Sequence, residues 1–181
     1  MNFNERKEFM KKRQGFMTTK KVAFIGLSIA LAMILSFVES QIPALVAIPG
    51  IKVGLPNLVM VFLLYRVGWK ETVIVSIVRA LLVAMVFAQS PVTLSFSVVG
   101  AIVSLTCMIL LKKLNWFSCI AVSIVGGIGH NVGQIIAACF WTETAAIVLH
   151  LPILLVSGTI AGAVIGLIAG MLVKRLEKFK F

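Results

Sequence analysis

Seven side chains in this sequence carry chemistry suited to holding a small anionic or oxygen-rich molecule: Glu39, Lys52, Asn57, Arg79, His130, Asn131 and Gln134. Most border or interrupt long apolar stretches. Arg79 falls near the middle of Thr72 to Phe87, where a charge costs about 2.5 to 3.5 kcal/mol on insertion scales, so its presence needs a reason. A guanidinium offers parallel N–H donors that match a carboxylate or phosphate. His130 and Gln134 are four apart and share one helical face. Glu39 ends the first apolar stretch, Lys52 lies in the loop after it, and Asn57 follows Pro56 at the start of the second. Each residue also has a purely structural reading. Arg79 can neutralise Glu39 and lock two helices. His130 and Asn131 can hydrogen-bond between helices. Lys52 can snorkel to the interface, and Asn57 can satisfy the free amides of a helix start.

What is missing narrows the chemistry. The chain has no Asp, and of its six Glu only Glu39 borders this set closely, so the carboxylate cluster that holds magnesium against diphosphate is absent. No GxxxxGK[ST] phosphate loop occurs, and no Ser or Cys nucleophile has a placed base. Cys107, Cys119 and Cys139 stand singly, without metal-ligand spacing. No catalytic residue, metal or cofactor is expected, and the chain does not read as an enzyme.

The elements that position these residues follow from composition. The 181 residues are 60% hydrophobic and 13% charged, about half the charge of an ordinary soluble domain. Six apolar stretches read as membrane spans: Lys21 to Val38, Leu55 to Val67, Thr72 to Phe87, Val92 to Leu111, Phe117 to Phe140 and Leu149 to Val173. The second is short for a crossing. Of the seventeen Lys and Arg, fifteen fall in the leader, in two alternate turns and in the tail, whereas the intervening loops hold only Lys52. That asymmetry predicts an even number of spans with both ends cytoplasmic. The net charge of +11 is spread over these pieces rather than along one helix face, which argues against a nucleic-acid partner.

The expectation is an all-α integral membrane protein of the bacterial cytoplasmic membrane. A basic leader over 1–20, with Phe9 and Phe16 spaced for an interfacial helix, precedes a six-helix membrane domain over 21–175 and a short basic tail over 176–181. Between the first two spans, Ile42 to Asn57 holds three Pro and two Gly, an irregular backbone able to cap a pocket or to re-enter the membrane. Gly158, Gly162, Gly166 and Gly170 form a small-residue stripe suited to helix packing, as do Gly129, Gly133 and Ala137, and Ser28, Ala32, Ser36 and Ser40.

ESQIP at Glu39 to Pro43, PGIKVGLPN at Pro49 to Asn57, Arg79, and HNVGQ at His130 to Gln134 appear in order in a six-span chain. Over about Lys20 to Arg175 this resembles the Gx transporter family, commonly labelled heptaprenyl diphosphate synthase component I and related to the substrate-binding (S) components of energy-coupling factor transporters. The resemblance implies an S-component-like six-helix bundle that binds a small molecule from outside: a vitamin, a vitamin precursor, or a quinone- or isoprenoid-related compound. Its implied partners are a membrane coupling protein (T component) and two ATPase subunits. Small residues on the first helix would face the coupling protein, which gives Ser28, Ala32 and Ser36 a partner, with serine at two positions where the family's usual version has alanine. The label leaves a second reading open, a noncatalytic membrane subunit holding a prenyl synthase near its lipid product.

Overall fold

The computed structural model describes residues 19–42, 53–86 and 91–178. Most of the leader, Lys52 and most of the Pro-rich loop lie outside the described residues. Among the described residues, an α-helix falls on each apolar stretch: α1 (Thr19–Gln41), α2 (Leu55–Arg66), α3 (Trp69–Val86), α4 (Pro91–Leu114), α5 (Cys119–Thr142) and α6 (Leu151–Arg175). A 3₁₀ turn, Ala145–His150, leads into α6.

Length and composition make this a membrane protein. Thr19–Gln41, Leu94–Leu114, Cys119–Thr142 and the continuous run Ala145–Arg175 are each long and apolar enough to cross a bilayer. The other two helices differ for physical reasons. α2 has 12 residues, about 18 Å of rise against about 30 Å of hydrocarbon. α3 is longer but carries Lys70, Glu71 and Arg79.

The short α2 is the buried element. Its Val59, Met60, Val61, Leu63 and Leu64 are all buried, and it packs against α1, α3, α5 and α6. Gly54 makes its start possible. Gly54 sits at φ 77°, a left-handed conformation that costs a residue with a Cβ, and its carbonyl accepts the Asn57 N–H at 2.9 Å while Pro56 occupies the first turn. The large apolar side chains left outside, such as Met85, Phe140, Leu149 and Ile160, suit contact with hydrocarbon rather than water.

α5 lies between α4 and α6 and meets both along glycine seams. A Cβ at Gly133 would stand 2.7 Å from Gly100 Cα on α4, and one at Gly162 would stand 2.6 Å from Ile124 Cα on α5. These helices touch backbone to backbone, where any side chain would push them apart. Gly158, Gly162 and Gly166 thus pack within the bundle, while Gly170 has only Cys119 Cβ nearby, at 3.9 Å.

The small-residue stripe of α1 packs into the bundle at two of its positions. Ser28 and Ala32 are buried, 5% and 0% exposed, against the chain's own helices. The outward face of α1 is Leu27, Leu31, Ile34 and Phe37.

One end of the bundle gathers the basic residues. Lys21 on α1 pairs with Glu71 on α3, Arg66 Nη2 donates to the Leu176 carbonyl at 2.7 Å, and Lys112 donates to the Leu64 carbonyl while its ammonium lies 5.2 Å from the Tyr65 ring centroid. The start of α1 and the end of α6 are therefore at the same end. Glu71 lies in the first turn of α3, ahead of the apolar run. Burial pushes its carboxyl up, but the hydrogen bond from Lys21, a backbone hydrogen bond and the charges of Lys21 and Lys70 outweigh burial and hold it below the ordinary carboxylate value.

Candidate functional site

At the opposite end, α1 and α3 bring Ser36, Glu39 and Arg79 together. Ser36 and Glu39, three apart on α1, lie on one face. The Ser36 hydroxyl donates to the Ala32 carbonyl at 2.8 Å and accepts from Arg79 Nη1 at 3.3 Å. Glu39 is near enough to act on Arg79 electrostatically, but its carboxylate is used elsewhere: Oε1 accepts the Gly54 N–H at 2.5 Å. The two charges are thus not in ion-pair contact. Glu39 fixes the entry into α2, which places Asn57 in its first turn.

That division leaves Arg79 incompletely satisfied. A guanidinium has five N–H donors. Among the described residues its hydrogen-bond partner is Ser36, at 3.3 Å, and its Nε is buried with no acceptor. Buried polar groups are nearly always paired, so a buried cationic donor with no acceptor among the described residues marks a place for one.

α5 supplies the second group. His130 packs on Gly100 of α4, where an added Cβ would stand 2.9 Å from His130 Cε1, so glycine makes room for the imidazole. Gln134, one turn further on the same face, is 7% exposed, and its Oε1 is buried without a donor. Asn131 points the other way. Its amide donates to the Leu154 carbonyl on α6, a bond between two helices, and so its capacity is spent within the fold.

The seven residues singled out from sequence therefore separate. Glu39 and Asn57 shape the start of α2, Arg79 and Gln134 keep buried polar atoms to offer, His130 sits in the α4–α5 seam, Asn131 ties α5 to α6, and Lys52 lies outside the described residues. Sequence reasoning passed over Ser36 as a ligand of Arg79, although its place three residues before Glu39 on an Arg-facing helix was a readable signal. It also missed the Gly54 amide and the Gly100 gap, which depend on tertiary contacts. Among the described residues, no three His, Cys, Asp or Glu side chains come together to hold a metal ion.

No curated protein and no solved structure matches the chain. A sequence model of one family does, over residues 28–172, a span that includes every residue of the two polar groups and the glycine seams that place them. The chain belongs to the heptaprenyl diphosphate synthase component I family.

Proposed function

We propose that the chain is the membrane-embedded substrate-binding component of an uptake transporter of the energy-coupling factor type, taking up a small anionic or oxygen-rich metabolite. The observation that carries this reading is Arg79: a cation within the bundle that, among the described residues, has one long hydrogen bond and a buried, unpaired Nε. A carboxylate or phosphate would satisfy it with two parallel bonds. The buried Gln134 Oε1 adds an acceptor for a hydroxyl or amide of the same class of ligand. Glu39 and the Gly54 backbone would carry the entrance to the site, and the fifteen basic residues at the termini and alternate turns favour both ends in the cytoplasm, so that this entrance faces outside. The chain has no phosphate loop, so energy would come from a coupling protein and two ATPases.

The family description names one component of a prenyl diphosphate synthase, which favours a second reading as a noncatalytic membrane subunit. One purification separates the two. The chain, tagged at its C-terminus and extracted from native membranes in mild detergent, is expected to bring with it a membrane coupling protein, two ATPases and a bound metabolite. Arg79→Ala is expected to lose the metabolite while still inserting and folding. Recovery of a soluble prenyl synthase subunit without ATPases would overturn the transport reading in favour of the second.

A further inference from the structure

A groove of about 250 Å³ opens between α1 and α6 in the half of the bundle that carries the basic end. Leu58, Val59 and Phe62 of α2 form its floor, Phe24 and Leu31 of α1 one wall, and Leu172 of α6 the other. Its one polar side chain, Ser28, donates its hydroxyl to the Phe24 carbonyl of its own helix at 2.8 Å, so the surface offered to an occupant is hydrocarbon. A polar metabolite would lose its water there and gain no partner. The Phe24 and Phe62 rings, with centroids 6.4 Å apart, line a fixed slot rather than a flat face.

Helical spacing puts two exposed basic residues one turn beyond the lining of this slot. On α1 the stripe Phe24, Leu27, Ser28 and Leu31 continues by one turn to Lys20, and on α6 Arg175 stands three residues after Leu172. Lys21 is taken by Glu71, and Arg66 by the carbonyls of Leu176 and Glu177. Lys20 and Arg175 are exposed, with no hydrogen bond or ion pair to any described residue. Lys174 and Lys178 add further charge, against Glu177 as the one exposed carboxylate on that turn.

We propose that this groove is a binding site for one anionic phospholipid. One acyl chain lies along Phe24, Phe62 and Leu172, and the phosphate sits between Lys20 and Arg175. The volume falls below the 300 to 1,000 Å³ of usual small-molecule sites, which suits a length of one chain with the rest of the lipid outside. Arg and Lys together match a phosphate. The site is separate from Arg79 and needs neither the transport reading nor any partner protein.

The test uses the full chain, stripped of lipid by detergent exchange and examined by native mass spectrometry and thermal unfolding in micelles containing phosphatidylglycerol, phosphatidylcholine or farnesyl diphosphate. One retained phosphatidylglycerol per chain is expected, with greater stabilisation than by phosphatidylcholine. Lys20→Gln and Arg175→Gln, both at exposed positions, should each weaken phosphatidylglycerol binding by about fivefold. Leu27→Trp, at the exposed rim, should abolish retention without lowering the unfolding temperature of the lipid-free chain. Equal retention of the two phospholipids by wild type and variants would overturn the proposal. Preferential binding of farnesyl diphosphate, or a lipid-free dimer that loses its interface on Leu27→Trp, would also overturn it, by assigning the groove to a prenyl chain or to a second copy.

Discussion

Asn131 donates to a Leu154 carbonyl that also receives the Ser157 hydroxyl at 3.0 Å, so removing the amide leaves no orphaned acceptor on α6. The loss should be that of one hydrogen bond between membrane helices, about 0.6 to 1.7 kcal/mol for Asn131→Ala. Asn131→Asp should cost more, because a carboxylate oxygen would then face the carbonyl lone pairs in a buried position. Unfolding of both variants in mixed micelles tests the order, and an aspartate variant as stable as wild type would refute the assigned bond. The contrast with Gln134, one turn away with an unpaired Oε1, separates a residue that builds the bundle from one that has capacity to spare. That distinction was not legible in HNVGQ. Helical spacing put His130 and Gln134 on one face, but whether an amide has a partner depends on which helix lies opposite. Arg79 was more readable, since a charge inside an apolar stretch needs compensation wherever its neighbours lie.

At the scale of elements, the same four-residue spacing covers positions with different demands. A Cβ at Gly162 would collide with Ile124 Cα and stand 2.8 Å from the Ser123 carbonyl, all backbone that cannot rotate away. At Gly170 the nearest atom is 3.9 Å off, an ordinary contact. Gly162→Ala should therefore destabilise by about 1 to 3 kcal/mol through forced separation of α5 and α6, whereas Gly170→Ala should stay within about 0.5 kcal/mol of wild type. Thermal unfolding of the two variants side by side decides it, and equal losses would mean that the seam is looser than described. The sequence showed the stripe and its suitability for close approach. It did not show where along α6 the closest approach falls, because that depends on the crossing of two helices. The stripe on α1 shows the same limit: Ser28 and Ala32 announce a packing face, but periodicity is blind to whether that face meets the chain's own α2 and α3 or another protein.

For the whole molecule, hydropathy and charge carried the most information, because the bilayer imposes both on any chain that crosses it. Apolar length located the helices, and the basic residues described in alternate turns collect at one end of the folded bundle, where Lys21 ties α1 to α3, Arg66 ties α2 to the end of α6, and Lys112 ties α4 to α2. The short α2 was legible as short, but its central burial was not. The gathered charge leads to a prediction about orientation. With Cys107, Cys119 and Cys139 replaced by alanine, a single cysteine at Glu177, in the exposed turn after α6, should resist a membrane-impermeant maleimide in intact cells and react once the cells are opened. A cysteine at Thr144, exposed between α5 and the 3₁₀ turn, should react in both conditions. Positive charge is retained on the cytoplasmic side during insertion, so fifteen basic residues on one side against Lys52 on the other should hold this orientation firmly. The reverse pattern would put Glu39 and the start of α2 on the cytoplasmic side. Arg79 could then not be reached from outside through that end, and uptake would give way to a role that receives its ligand from the cytoplasm.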